Sequence, residues 1–136
     1  MRLGQDVGEA LDVLALGIAR RQLTQGIVFS HLGPVAYPEL VAQFAEFFLQ
    51  IEGAEWSVVS GTVNGELHIS VRNVGYVRAA GDVVRRAFGE VGRAGGHRAM
   101  AKAVIRLRDW QARVSDSSDE GLRKAIVARF LQALRG

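Results

Sequence analysis

Four consecutive residues, Gly95-Gly96-His97-Arg98, combine the groups needed to hold an anion. Glycines let a backbone come close to a ligand and take up positive φ without steric cost. Histidine and arginine can both donate to a phosphate oxygen, arginine through a two-pronged fork. Ala99, Met100 and Ala101 follow and are compatible with a short helix, whose first N–H groups and positive dipole end would then lie beside the glycines. These few residues equally describe an ordinary glycine turn before a helix, with His97 on the surface. Arg72 is the second candidate. It closes the alternating run Glu66 to Arg72, in which Leu67, Ile69 and Val71 face one way and Glu66, His68, Ser70 and Arg72 the other. Alone it reads as a solvated strand residue paired with an acid. Beside the glycine turn it becomes a phosphate ligand, with Ser70 orienting it. His97 can hydrogen-bond a phosphate oxygen, and Trp56 and Tyr76 are candidates for stacking a base.

The elements that must position these residues follow from periodicity and turn chemistry. Residues 7–21 show helical spacing through Val7, Leu11, Leu14 and Ile18, with Ala10 and Val13 beside them. Gly26 opens a short strand, Ile27-Val28-Phe29, and His31 to Ala36 reads as a loop. Pro38 suits the first turn of a helix that buries Leu40, Val41, Phe44, Phe47, Phe48 and Ile51, with Gly53 as its left-handed cap. Asn64-Gly65 is a strong two-residue hairpin signal joining strands 56–63 and 66–72, and sets Val59 and Gly61 across from Ser70 and His68. A helix over 76–88 turns Ala80, Val83, Val84, Ala87 and Phe88 inward and Arg78, Arg85 and Arg86 outward. After the glycine stretch come a short helix and a strand at 103–107. A polar linker over 111–118 precedes a helix over 119–134, with Ser117 and Glu120 at capping-box spacing. The predicted class is α+β: a mixed sheet of about four to five strands with helices packed on one face, plus N- and C-terminal helices.

Composition sets the bounds. The 136 residues suit about one domain, and 49% hydrophobic content is enough for a core. No apolar run is long enough to cross a bilayer, and Asp6, Glu9 and Asp12 interrupt any leader-like pattern. The absence of cysteine excludes disulfides and thiolate metal sites and fits a cytoplasmic location. The net charge of +3 is unevenly spread. Residues 1–71 carry three arginines against eight acids, whereas residues 72–108 carry eight arginines and Lys102 against Asp82 and Glu90. Such a stretch attracts phosphate-bearing ligands, although charge runs are also common on solvated faces. His31, His68 and His97 are scattered, no metal-ligand spacing stands out, and no Ser-His-Asp or Cys-His arrangement is arguable, so no catalytic residue is assigned to this chain.

Two motifs carry a family resemblance covering residues 25–108. Ala94-Gly95-Gly96-His97 resembles the glycine-glycine-histidine signature of the DHHA1 domain, and Ile69-Ser70-Val71-Arg72-Asn73 resembles that domain's strand ending in Ser-x-Arg-Ser. The chain departs from the pattern at Asn73, Ala94 and Lys102. DHHA1 is the C-terminal substrate-binding domain of DHH-family phosphoesterases, a group with RecJ-like exonucleases, nano-RNases and cyclic-dinucleotide phosphodiesterases, and related domains end alanyl-tRNA synthetases. The resemblance implies binding of oligonucleotide or nucleotide substrate by Arg72, Ser70, Gly95, Gly96, His97 and Arg98. It implies hydrolysis of phosphoester bonds only together with a separate DHH domain holding a metal pair, typically manganese; the Asp-His-His sequence of that domain is not present here. It also divides the chain into a connector helix (1–24), a substrate-binding domain (25–110) and a linker with an amphipathic helix (111–136). Two other readings remain open from the residues: a small-ligand-sensing regulatory domain of β-α-β type, and a module that forms a homodimer through its terminal helices. The substrate-binding reading requires Arg72 and the double-glycine bend to converge on one cationic hollow.

Overall fold

A computed structural model describes residues 6–74 and 78–136. In chain order the elements are α1 (Asp6–Arg20), β1 (Gln22–Thr24), β2 (Ile27–Pro34), α2 (Glu39–Glu52), β3 (Trp56–Val63), β4 (Glu66–Asn73), α3 (Ala80–Phe88), β5 (Arg93–Gly96), β6 (Met100–Arg106), α4 (Leu107–Gln111) and α5 (Asp119–Arg135). The strands form one mixed sheet in the order β1-β2-β3-β4-β6-β5, in which only β2 and β3 run parallel. The α+β class is as expected, with six strands instead of four to five. The two unforeseen strands are short edges. β1 is three residues long, folded back on β2 through Gln25 and Gly26, both at positive φ. β5 is the glycine-rich stretch itself, paired with β6. β2 also runs through His31 to Pro34, which read as a loop. Its register against β3 shifts between His31 and Pro34, where Gly33 takes φ +75°, so the strand survives by bulging.

The β3–β4 hairpin forms as its turn chemistry dictates. Asn64 and Gly65 have φ of 50° and 77°, and the register places Gly61 opposite His68 and Val59 opposite Ser70. Gly53 caps α2 at φ 62°. Of the helix expected over 76–88, Ala80–Phe88 forms α3 with Ala80, Val83, Val84, Ala87 and Phe88 buried as expected, whereas Arg78 lies before its start.

Helices cover both faces of the sheet, which corrects the one-face expectation. On one face Val58, Leu67, Ile69, Val71, Ala103 and Ile105 pack with the inner residues of α3 and α5. On the other, Val28, Leu32, Val59 and Val63 pack with Leu40, Val41, Phe44 and Phe48 of α2 and with Ala10 of α1. The alternation expected in β4 holds: Leu67, Ile69 and Val71 are buried, while Glu66, His68, Ser70 and Arg72 on the other side are half-buried. In α1 the buried positions are Ala10 and Gly17, while Leu11 and Ile18 are exposed. Gly17 sits against Leu32, and its carbonyl accepts from Ser30 Oγ at 2.7 Å, so contact with β2 selects a different stripe from the one with the largest side chains.

The C-terminal helix belongs to the core. Phe130 of α5 makes edge contacts with Trp56 and Phe29, at centroid distances of 5.4 and 5.9 Å, so the apolar face of α5 lies against the sheet. Trp56 is thereby buried in the core and does not stack a base; Tyr76 lies outside the described residues. The cap of α5 is Ser118, one residue beyond Ser117, its Oγ accepting from Gly121 N at 3.1 Å. The segment after β6 is partly helical: Trp110 of α4 is fully buried.

His31, 2% exposed, links three elements on the α5 side: its Nδ1 lies 2.8 Å from Ser60 Oγ and its Nε2 3.3 Å from Asp119 Oδ1. Burial is the main influence and lowers its pKa from 6.5, opposed by Asp119. The folded state therefore favours neutral His31. Its contribution is present above about pH 6.5 and is lost as pH falls through the lower folded value. Thermal melts of the wild type and His31→Gln at pH 7 and 5.5 should show a smaller acid-dependent drop in Tm for the variant; an identical drop would contradict this assignment.

A second expectation concerns the glycines. Gly96 has φ +155°, and a Cβ there would collide with Ala101. Gly96→Ala should cost roughly 2–4 kcal/mol in urea unfolding. Gly65→Ala, at φ +77° with open space around it, should cost about 1 kcal/mol. Equal costs would show that Gly96 is not held by crowding.

Candidate functional site

The bend after β5 is a tight hairpin turn, not a helix start. The short helix expected at Ala99–Ala101 is absent because β6 already begins at Met100. His97 N–H donates to the Met100 carbonyl at 2.7 Å, closing the turn. The other carbonyls of the turn point outward and are all used. Those of His97 and Arg98 accept from Gly81 and Ala80 at 2.8 Å each, and that of Ala99 accepts from Asn73 at 3.1 Å. The first N–H groups of a helix have no partner within it, and Ala79 offers no side-chain cap to α3. The glycine turn caps α3 with its carbonyls instead. This overturns the expectation of a helix dipole aimed at the ligand: the available helix N-terminus is consumed by the turn.

The glycines make that approach possible. A Cβ on Gly81 would collide with the Gly96 carbonyl, and one on Gly96 with Ala101. Gly96 is thus explained by packing. Gly95 lines a cleft.

That cleft, of about 350 Å³, lies between α2, β4, β6 and the glycine bend. Ser70 and Arg72 reach it from β4, Met100 and Lys102 from β6, and Gly95, Gly96 and His97 from the bend, with Ala42 of α2 as the opposite wall. Register explains the convergence. Arg72 pairs with Met100, Ser70 with Lys102, and Gly95 with Lys102, and directly opposed residues in a ladder share a face. Arg72, Ser70, Gly95, Gly96 and His97 are therefore brought together. Arg98 is not part of the lining; its carbonyl serves α3.

The cleft combines a cationic rim with an apolar floor. Arg72 Nη2 lies 3.4 Å from Glu46 Oε2 of α2, a pair open to solvent and worth little. Lys102 is exposed and forms no ion pair among the described residues. Met100, Ala42 and Glu46 were missed by sequence reasoning. Ala42 and Glu46 are one helical turn apart on the side of α2 away from its core, a signal present in the sequence. Met100 was hidden by reading 99–101 as helix.

Much of the basic stretch serves other ends. Arg78 and Arg86 donate to the carbonyls of Leu134 and Ala133 at 2.8 and 3.0 Å, holding the C-terminal end of α5. Arg93 lies in a separate hollow with Glu66, Arg106 and Asp109. His68 sits 3.4 Å from Glu66, outside the cleft lining. Among the described residues no three His, Cys, Asp or Glu side chains gather to hold a metal ion, and no helix is long and apolar enough to cross a membrane.

No protein-family model matches the chain. An uncharacterized protein of Methanocaldococcus jannaschii is 34% identical over 131 residues, covering 93% of this chain; the chain spans 26% of that relative's length. Among solved structures, the C-Ala domain of Aquifex aeolicus alanyl-tRNA synthetase is similar with a TM-score of 0.57 and 14% identity, over 85% of this chain and 98% of that one. An exopolyphosphatase-related protein from Bacteroides fragilis gives 0.58 and 12%, over 98% and 37%. RecJ from Thermus thermophilus, in complex with Mn2+, gives 0.55 and 20%, over 95% and 18%. Such identities speak of fold, and the two motifs that suggested the assignment occupy one cleft in it. The chain shares its fold with that C-Ala domain and with parts of RecJ and of the exopolyphosphatase-related protein.

Proposed function

We propose that the cleft grips the phosphate of a nucleotide or short oligonucleotide and presents it to a metal-bearing DHH domain in the same protein, which hydrolyses the phosphoester bond. The observation that carries this reading is the convergence of Arg72, Lys102 and His97 beside Gly95 and Gly96 in a single open cleft. Fold likeness to RecJ and to an exopolyphosphatase-related protein, both much longer chains, supports the general kind of chemistry. A cytoplasmic location suits such a substrate.

Arg72 supplies a planar fork that matches two phosphate oxygens, and Lys102 adds a mobile point charge. His97, exposed on the turn, can donate to a third oxygen or to the leaving group. The grip rests on side chains, because the His97 N–H and the first N–H groups of α3 are already engaged. Glu46 holds Arg72 across the cleft when no ligand is present, and phosphate displaces it. Manganese or another divalent metal belongs to the partner domain. In this reading the domain's part is binding and orientation.

Arg72→Ala should weaken nucleoside monophosphate binding at least about tenfold by calorimetry. Glu46→Gln should strengthen it, up to about fivefold, by releasing Arg72. A neutral Arg72→Ala would refute the assignment. The isolated chain incubated with manganese and a short oligonucleotide should release no mononucleotide; sustained turnover would place catalysis on this chain.

A further inference from the structure

The rim of the cleft accounts for a phosphate, but not for its floor. Met100 is 45% exposed although it is one of the larger apolar side chains, and it stands in register with Arg72 on the same face of the sheet. Ala42 of α2 lines the same cleft, so two apolar side chains border it beside the cations. A bare polyphosphate would leave that surface without a partner and would meet few cations beyond Arg72, Lys102 and His97. A volume of about 350 Å³ is within the range of small-molecule sites, where apolar walls hold the body of a ligand and a few polar groups fix its orientation. A thioether is polarizable and favours contact with aromatic rings.

We propose that Met100 seats a nucleobase against Ala42 while Arg72 and Lys102 hold the phosphate of the same molecule. The ligand class is then nucleotide, not inorganic polyphosphate, and Met100 is a specificity-determining residue. This rests on the phosphate-gripping reading of the cleft. The cleft discriminates by apolar contact, so it accepts different bases and rejects ligands without one.

The sequence contains two methionines, Met1 and Met100, which makes the test direct. Methionine-methyl-labelled full chain is titrated with adenosine monophosphate and, separately, with inorganic tripolyphosphate; Met100→Leu identifies the Met100 methyl signal. Adenosine monophosphate should move that signal upfield through the ring current, and tripolyphosphate should leave it in place. Met100→Ala should weaken adenosine monophosphate binding roughly three- to tenfold. It should change tripolyphosphate binding less than twofold. If both ligands bind, both depend on Arg72, and the Met100 methyl ignores the nucleotide, the base seat is wrong and the phosphate grip stands. If neither ligand binds, or neither responds to Arg72→Ala, the phosphate grip itself fails and the base seat with it.

Discussion

The structure depends on a clasp between the glycine bend and the start of α3. Two carbonyls of the bend, from His97 and Arg98, satisfy two N–H groups that α3 cannot satisfy itself. Gly81 and Gly96 allow the approach, since a side chain on either would separate the two backbones. The clasp fixes the bend against the end of β4, where Asn73 N–H meets the Ala99 carbonyl. Arg72 precedes that bond by one residue and faces the cleft that the bend borders. The cleft's shape is thus set by main-chain hydrogen bonds, while its side chains are left to bind.

This division explains the electrostatics. A glycine-rich bend beside a helix N-terminus invites an anion-binding reading through main-chain N–H groups and the dipole. Here those donors are used internally, which leaves the side chains of Arg72, Lys102 and His97 as the donors the cleft can offer. The surplus of arginine between residues 72 and 108 exaggerates the charge available, because Arg78 and Arg86 secure the end of α5. Glu46 further tempers the field at Arg72. The site is a modest cationic rim above an apolar floor, better suited to one phosphate with an organic body than to a dense polyanion.

Long, regular elements were legible in the sequence because one local rule fixes each. Asn64-Gly65 determined the β3–β4 register, and the alternation of β4 put Ser70 and Arg72 on one face. The apolar spacing in α3 and α5 gave their buried sides. What was not legible depended on contacts distant in sequence. β1 and β5 are too short and too polar or glycine-rich to announce themselves. Ala99-Met100-Ala101 has helical propensity, but pairing with Val71 and Arg72 draws Met100 and Ala101 into β6. Leu11 and Ile18 suggested part of the buried stripe of α1, whereas close contact at Gly17 selects a neighbouring one. Among the candidate residues named from the two motifs, Arg72, Ser70, Gly95, Gly96 and His97 line one cleft. Arg98 does not line that cleft, and Ala42 and Met100 appeared only once strands and helix were placed.

Phosphate binding is assigned to one cleft, bordered by the end of β4 and the glycine bend. Backbone amide shifts of the full chain, followed by NMR during titration with a nucleoside monophosphate, test it most directly. The largest changes are expected on Arg72, Gly95, Gly96, His97 and Lys102. Changes centred instead on the hollow formed by Arg20, His31, Asp119 and Arg123, with the glycine bend unmoved, would contradict it.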